Sequence, residues 1–249
     1  MPSWFLFSEP GRSARIRLFC FPYAGGVASG YREWWQRSNS DIQVAPVQLP
    51  GRENRIAEPA VPDLYQLVSL AAQALRDHVD RPYALFGHSM GAMIAYELSR
   101  YLAKMGSRPP VRLLVSGMSA PDLLSGTSSP RRRSREEIIA ELRRLHGTPS
   151  DMLENEQILD FLLPRLQADW QVTESFRYRP GPRLAVPISV FGGTADPDVP
   201  ITDLLAWNAH TKSDTRIRLL PGDHFFVDRH SSTVADLVFA DIVESLRSD

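Results

Sequence analysis

The sequence predicts an α/β fold with a mostly parallel central sheet and helices on both of its faces. Short β-branched or aromatic runs alternate along the chain with longer segments of helical period, and this alternation is typical of parallel strands joined by crossover helices. The chain has 249 residues, a length that suits one α/β domain carrying an insertion. We therefore expect residues 1–249 to form a single domain.

The predicted elements follow in chain order. Six apolar runs are expected to form the strands, at residues 16–23, 42–49, 83–87, 111–118, 188–192 and 217–220. Pro62 and Asp63 are a start signal for a helix whose apolar residues recur at helical spacing as far as Val79. Residues 92–98 predict a buried helix directly after the third strand. A last helix is expected at residues 234–246, where the apolar side chains share one face.

The composition is that of a globular protein without a strong charge. Hydrophobic residues make up 43%, charged residues 23%, and the formal net charge is −1, so no field attracts nucleic acid or an anionic membrane. The single cysteine, Cys20, excludes an intramolecular disulfide and is expected to be a buried, unreactive side chain. The chain has no signal-peptide pattern and no run long enough to span a membrane. We expect a cytoplasmic monomer.

One interval is too long for a single crossover helix. More than sixty residues, from about 121 to 183, separate the fourth and fifth strands. Ser134 and Glu137 have capping-box spacing and open one helix. A second helical segment runs from about 154 to 176, and Pro164 is expected to bend or split it.

This interval carries more apolar surface than one stripe against the sheet requires. We interpret it as a helical lid at the C-terminal edge of the sheet, because ligands of open α/β sheets bind beyond that edge. The alternative is that its side chains only pack the insertion onto the core. The candidates for substrate contact in the lid are Phe161, Leu162, Leu166 and Trp170.

The pentapeptide Gly87-His88-Ser89-Met90-Gly91 lies between a strand-like run and a helix-like run. A G-x-S-x-G sequence at such a junction is the nucleophile elbow of α/β-hydrolases, a turn so tight that glycine is needed at both flanking positions. The turn lifts the serine hydroxyl above the edge of the sheet. The sequence therefore predicts the α/β-hydrolase fold, with Ser89 as the nucleophile.

A serine nucleophile needs a general base and a group that orients this base. In α/β-hydrolases the order along the chain is serine, acid, histidine. Of the six histidines, His224 directly follows the last strand and is the predicted base. Asp196 follows the preceding strand and is the predicted acid, and Asp122, after the fourth strand, is its main competitor.

An acyl-transfer site also needs hydrogen-bond donors for the developing oxyanion. The backbone N–H of Met90, the residue after the nucleophile, is one candidate. The N–H of Ala24 is the other, because Gly25 and Gly26 let the loop after the first strand approach a substrate closely. We reject a metal centre in the C-terminal loops, since no metal-binding spacing occurs there, and we expect no cofactor.

A basic run, Arg131-Arg132-Arg133 with Arg135, lies at a helix start within the proposed lid. Cations at a helix start oppose the helix dipole, so the run does not favour the helix electrostatically. A solvated surface is the ordinary explanation for such a run. Contact with an acidic partner is the other.

Together these segments resemble the stand-alone type II thioesterases that accompany polyketide synthases and nonribosomal peptide synthetases. The matching pieces occur in family order along nearly the whole chain: LFCFPYAGG at 18–26, QLPGRE at 48–53, FGHSMG at 86–91, FGG at 191–193 leading to Asp196, and HFF at 224–226. The resemblance implies hydrolysis of acyl thioesters on the phosphopantetheine arm of carrier proteins, which removes stalled or wrong acyl groups. Free acyl-CoA is a further candidate substrate.

Tyr23 and Phe225, which lie in two of the matching segments, are further candidates for substrate binding. The resemblance makes the arginine run a hypothetical docking surface, because carrier proteins present acidic helices. Asp223 is a departure, since the family often has glycine before the histidine. This extra carboxylate leaves open which aspartate orients the ring of His224.

Two other functions remain open. A carboxylesterase acting on small oxygen esters would use the same triad. A non-catalytic protein of the hydrolase fold would bind a ligand or partner, although intact Ser89, Asp196 and His224 argue against it. A product-releasing cyclase domain cut from a synthase is disfavoured because the fold is accounted for within this chain.

Overall fold

A sheet of six parallel strands forms the centre of the molecule. The computed structural model describes residues 3–7, 14–124, 132–145 and 150–246. The strands are β1 (Ile16–Phe21), β2 (Ile42–Pro46), β3 (Tyr83–His88), β4 (Arg112–Ser116), β5 (Ile188–Gly193) and β6 (Thr215–Leu220). Their order across the sheet is β2-β1-β3-β4-β5-β6, and every neighbouring pair is parallel.

The strands confirm the predicted fold class, and each of the six predicted runs contributes one of them. Strands β1, β3, β4 and β5 consist of buried residues only, as expected for a parallel sheet that is covered on both faces. Strand β6 lies at one edge and is mostly half-buried. Strands β1, β2 and β4 are shorter than predicted, because apolar composition continues past the last ladder hydrogen bond, whereas β3, β5 and β6 extend one or two residues beyond the predicted runs.

Helices connect the strands and cover both faces of the sheet. In the described ranges they are α1 (Arg32–Gln36), α2 (Leu64–Leu75), α3 (Met90–Lys104), α4 (Arg135–Leu145), α5 (Ser150–Glu154), α6 (Glu156–Ser175), α7 (Ile201–Leu205), α8 (Phe226–Arg229) and α9 (Ser231–Ser245). Short 3-10 helices lie at Ala28–Tyr31, Glu53–Arg55, Arg76–His78, Pro121–Leu123 and Ala206–His210. Over the same ranges, no helix combines the length and the apolar character that crossing a membrane requires.

Two hydrophobic clusters lie on opposite faces of the sheet. One contains Leu67 of α2 and Ile94 of α3. The other contains Trp34 of α1 and Val238 of α9. Since all the strands point the same way, their C-terminal ends lie at one edge, and the loops that follow β1, β3, β5 and β6 meet there.

The predicted helix starts carry the expected caps. The Asp63 carboxylate accepts a hydrogen bond of 2.7 Å from the backbone N–H of Gln66. The backbone N–H of Ser134 donates to the Glu137 carboxylate at 2.7 Å, while the backbone N–H of Glu137 donates to the Ser134 hydroxyl at 3.2 Å. This reciprocal pair is a capping box. The predicted end of that helix, at 147–149, lies outside the described residues.

Helices α4, α5 and α6 lie between β4 and β5 and are called here the helical insertion. Six of their buried apolar side chains form a separate cluster: Ile138, Leu142, Leu153, Leu159, Leu166 and Trp170. Helix α6 is continuous, with Pro164 inside it, so the proline does not split the segment. Leu159 and Leu166, on either side of it, are both buried in the cluster, and this packing holds the two halves in one helix.

Candidate active site

Ser89 lies in the turn between β3 and α3. Its backbone has φ 52° and ψ −117°, a strained conformation for a residue other than glycine. A Cβ on Gly87 would come 2.0 Å from the carbonyl oxygen of Gly91, and a Cβ on Gly91 would come 2.2 Å from the carbonyl oxygen of Phe21. The turn therefore has the geometry of a nucleophile elbow, and both glycines are required by close backbone contacts.

His224 and Asp196 form a hydrogen-bonded pair at the same edge of the sheet. The Nδ1 atom of His224 lies 2.8 Å from Oδ2 of Asp196. The Asp196 side chain is fully buried, and its other oxygen accepts a hydrogen bond of 2.9 Å from the backbone N–H of Asp198. A carboxylate on Nδ1 keeps the proton on that nitrogen, so Nε2 of the neutral ring is the proton acceptor.

The two other aspartates considered for the acid role bond elsewhere. Asp122 lies 2.7 Å from Nε2 of His210. The Asp223 carboxylate accepts hydrogen bonds from the backbone N–H of Phe225 at 3.1 Å and from the Arg229 guanidinium at 2.7 Å. The geometry thus favours Asp196 as the group that orients His224.

Ser89 and His224 line one cavity of about 290 Å³, between the sheet edge and the helical insertion. Six of the predicted site residues are among those lining it: Tyr23, Ala24, Ser89, Trp170, His224 and Phe225. Much of the remaining wall is apolar and comes from Met93, Met118, Leu124, Leu145 and Val199. The cavity is therefore suited to an apolar group held beside a serine and an imidazole.

Three predicted substrate contacts in the insertion are placed away from this wall. Phe161 is 63% exposed, because it projects from the outer face of α6. Leu166 is buried in the cluster of the insertion, and Leu162 packs against that cluster. Helical spacing identified an apolar helix, but it does not show which of its faces borders the cavity.

His88, inside the elbow, points away from Ser89 as the tight turn requires. Its Nδ1 lies 2.9 Å from the Ser116 hydroxyl, and its ring centroid is 5.0 Å from that of His224. Burial, together with the neighbouring His224, lowers the pKa of His88 well below its usual value. A Cβ on Gly117 would come 2.4 Å from this ring. His88 is thus a neutral packing partner of the predicted base.

Tyr23 closes one side of the cavity. Its hydroxyl donates a hydrogen bond of 2.8 Å to the Asp228 carboxylate, and its ring makes edge contacts with His88 and Phe225. Burial raises the pKa of Tyr23, as does the nearby Asp228, and burial also raises the pKa of Asp228. The phenol therefore stays protonated and acts as a donor.

The loop that follows β1 is held by residues that the sequence pattern did not assign to the site. The backbone N–H of Gly25 donates to the Asp169 carboxylate of α6 at 2.7 Å. Arg52 donates to the carbonyl oxygen of Gly26 at 3.0 Å and to Asp169 at 2.6 Å. Arg52 lies in the QLPGRE segment, so its membership of a family motif could have indicated a role at the site. Asp169 lies 117 residues further along the chain, and no local pattern indicates it.

Two arginines of the basic run, Arg133 and Arg135, contact residues of α6 within the insertion. Arg133 donates to the Glu174 carboxylate at 3.1 Å, and its guanidinium lies 4.9 Å from the ring centre of Trp170. Arg135 forms an ion pair with Asp160. Arg132 is exposed, and Arg131 lies outside the described residues.

Known proteins resemble this chain over nearly its whole length. The profile of the thioesterase domain family matches residues 16–242. Gramicidin S biosynthesis protein GrsT of Aneurinibacillus migulanus is 40% identical over 224 residues, which cover 90% of this chain and 88% of that protein. The type II thioesterase BorB from the borrelidin biosynthetic cluster superposes with a TM-score of 0.86 at 34% identity, covering 96% of this chain and 97% of that one.

A second solved structure gives the same result. ClbQ from the colibactin NRPS/PKS pathway superposes with a TM-score of 0.86 at 33% identity, covering 94% of this chain and 98% of that one. The family match extends from the first strand into the last helix, so it includes the elbow, the Asp196–His224 pair and the helical insertion. The chain therefore belongs to the thioesterase domain family, with the α/β-hydrolase fold.

Proposed function

We propose that this protein hydrolyses acyl groups from the phosphopantetheine thioester of carrier proteins in polyketide or nonribosomal peptide synthesis. The observation that supports this most directly is the hydrogen-bonded Asp196–His224 pair beside Ser89 on one largely apolar cavity. The relatives with type II thioesterase or biosynthetic-pathway names support the substrate class. In this proposal, the role of the protein is to remove stalled or aberrant acyl units from the carrier proteins.

The first half of the reaction is acyl transfer to Ser89. Nε2 of His224 takes the hydroxyl proton as the oxygen attacks the thioester carbonyl, and Asp196 stabilises the imidazolium. The N–H groups of Met90 and Ala24 bind the oxyanion of the tetrahedral intermediate. Collapse of the intermediate breaks the C–S bond, and the proton on His224 passes to the departing thiolate.

The second half is hydrolysis of the acyl-serine. His224 removes a proton from water, the hydroxide attacks the acyl carbon, and the same two N–H groups bind the new oxyanion. The ester bond to Ser89 then breaks, and the proton returns to its oxygen. The products are the free acid and the enzyme in its starting state.

The segment from about 121 to 183 acts as a lid in this proposal. Trp170 and Leu145 of the insertion line the same cavity as Ser89, where they would contact the acyl chain. The cavity volume of about 290 Å³ corresponds to roughly ten water-sized volumes, so a medium-sized acyl group fits without further opening. Leu166 and Leu162 support this wall from behind.

We propose an acyl or peptidyl carrier protein as the macromolecular partner, with free acyl-CoA as an alternative source of the thioester. The protein would act as a monomer in the cytoplasm, where these synthases and their carrier proteins work. Arg132 is exposed at the start of α4 and remains available to an acidic carrier helix. Charge reversal there should raise KM for the carrier-bound substrate and leave KM for a free thioester unchanged; equal changes would contradict this docking surface.

The test of the function is a comparison of substrates. A panel of acyl-loaded carrier proteins, the matching acyl-CoA thioesters and matched oxygen esters is incubated with the enzyme, and mass spectrometry follows deacylation. We expect the largest kcat/KM for a carrier thioester, and no turnover by Ser89→Ala. A preference for oxygen esters would instead identify a carboxylesterase. Absence of Ser89-dependent labelling by a fluorophosphonate would indicate a binding protein.

A further inference from the structure

The backbone of loop 23–26 is held in one orientation by hydrogen bonds. The carbonyl oxygen of Tyr23 accepts a hydrogen bond of 2.9 Å from the N–H of Gly26. A trans peptide directs its C=O and its N–H to opposite sides, so the N–H of Ala24 points away from this turn. Ala24 also lines the cavity that contains Ser89. The direction of this N–H therefore depends on how firmly the turn is fixed.

Asp169 and Arg52 bond the turn from behind, and Arg165 of α6 adds a longer hydrogen bond of 3.3 Å to the carbonyl oxygen of Gly25. One oxygen of Asp169 accepts the N–H of Gly25 at 2.7 Å, and the other accepts Arg52 at 2.6 Å. Arg52 also donates to the carbonyl oxygen of Gly26 at 3.0 Å. The two side chains thus bond the N–H of one loop glycine and the C=O of the next, in addition to each other.

The position of this ion pair is costly for folding. The side chains of Arg52 and Asp169 are 2% and 3% exposed, and a buried pair of this kind often stabilises a protein less than apolar residues of similar volume would. An apolar pair could fill the space, but it would offer neither an acceptor to Gly25 nor a donor to Gly26. The backbone contacts are what the pair provides and apolar side chains do not.

We infer that Asp169 and Arg52 are positioning residues that hold the Ala24 N–H in the orientation needed for the oxyanion. The inference rests on the proposed function, in which this N–H is one of the two oxyanion donors. Helix α6 carries both Asp169 and Trp170, which lines the cavity. The same helix therefore sets one wall of the acyl cavity and the alignment of the donor loop.

The test uses the whole enzyme and three variants. Asp169→Asn removes the charge, Asp169→Leu combined with Arg52→Met replaces the pair by apolar side chains, and Asp241→Asn is the control. Asp241 is equally buried and binds Arg216 and Arg218, but it lies on α9, on the opposite face of the sheet from α2 and α3. Breaking its network removes a buried charge without touching the loop.

We expect both loop variants to lose about tenfold to a hundredfold in kcat with KM changed by less than about threefold, since a displaced oxyanion donor acts mainly on the transition state. An acyl trifluoromethyl ketone, whose adduct with Ser89 carries an oxyanion, should lose affinity by a similar factor. The matched alcohol, which forms no adduct, should bind as before. Hydrogen exchange of the Gly25 amide should become faster in the double variant.

The control separates positioning from stability. Asp241→Asn should lower the melting temperature while keeping kcat at temperatures where it is folded. A wild-type kcat in the folded double variant, or an equal loss of kcat in Asp241→Asn, would overturn the inference. If Asp169→Asn does not fold, the kcat of the double variant alone decides between the two outcomes. If the wild-type enzyme hydrolyses no acyl thioester, the proposed function is refuted instead. Hydrogen exchange of the Gly25 amide would still test its hydrogen bond to Asp169.

Discussion

His88 and His224 have ring centroids 5.0 Å apart, and their surroundings give them different roles. His224 binds a carboxylate through Nδ1 and borders the cavity. His88 is fully buried, and its Nδ1 lies 2.9 Å from the Ser116 hydroxyl. A buried neutral imidazole beside the predicted base avoids a second positive charge when His224 becomes protonated in the proposed reaction.

The neutral state of His88 predicts a pH dependence of stability. Its pKa is lowered by burial and by His224, so below about pH 6.5 the unfolded chain binds a proton that the folded protein does not. His88 therefore leaves the free energy of unfolding independent of pH above about pH 6.5 and makes it decrease as the pH falls below that value. Urea unfolding of wild type and His88→Asn at pH 7 and pH 5 should show a steeper loss for wild type, by up to about 1.4 kcal/mol per pH unit. Equal slopes would contradict the assignment.

The hydrogen bond to Nδ1 predicts which aspartate matters for turnover. Asp196→Asn preserves the shape of the side chain but favours the wrong tautomer of His224, so kcat should fall by about 10³- to 10⁴-fold. Asp122→Asn is the matched control, because its carboxylate bonds His210 instead. It should change kcat by less than about threefold. Steady-state kinetics on one thioester suffice, and a larger loss for Asp122→Asn would reverse the assignment of the acid.

At the scale of elements, the sheet and the helix starts follow closely from local pattern. Apolar runs located all six strands, and Asp63 and Ser134 cap helices as predicted. Local pattern failed where tertiary contacts decide. The face of α6 that borders the cavity and the pairing of Arg52 with Asp169 depend on segments far apart in the chain, and neither hydrophobic period nor residue spacing contains that information.

Helix α4 has an ionic contact with the loop that carries the predicted acid. Arg144 binds Asp198 through two hydrogen bonds of 2.9 and 2.8 Å and also binds Glu141. The side chains of Arg144 and Asp198 are 45% and 37% exposed, so solvent weakens the pair, and its contribution to global stability is at most about 1 kcal/mol. The contact therefore orders the helix locally rather than stabilising the whole fold.

Arg144→Met should accelerate hydrogen exchange in α4 while changing the free energy of unfolding by less than about 1 kcal/mol. Arg143→Met removes a charge from the same turn and is the matched control. Mass spectrometry of exchange by peptide makes the comparison. Unchanged exchange in α4, or the same acceleration in both variants, would show that the pair with Asp198 does not order the helix.

At the scale of the whole molecule, the sheet topology explains how distant residues meet. All strands are parallel, so Ser89 after β3, Asp196 after β5 and His224 after β6 lie at one edge. The order of these residues along the chain and the alternation of strands and helices were sufficient to predict this arrangement. The cavity itself was not predictable in detail, because its wall combines residues from the segment after β4, from α3 and from the insertion.

The covered sheet also predicts the behaviour of the only cysteine in the sequence. Cys20 lies in β1, is fully buried, and has its pKa raised by burial, so its thiol is neither accessible nor ionised. N-ethylmaleimide should leave the folded enzyme unmodified and active, whereas a fluorophosphonate should inactivate it. One thiol should react after denaturation. Rapid modification before unfolding would mean that the sheet opens at β1.

The contact between Gly91 and the carbonyl oxygen of Phe21 joins the start of α3 to the end of β1 with no space for even a methyl group. The turn that carries Ser89 and the loop that follows β1 are therefore in direct backbone contact. Trp170 and Leu145 of the insertion line the cavity, and substitutions there would alter its wall without removing the bonds that Asp169 and Arg52 make to the loop. Homologous proteins with this fold can therefore differ in the acyl chain that they accept while keeping the same proposed catalytic residues.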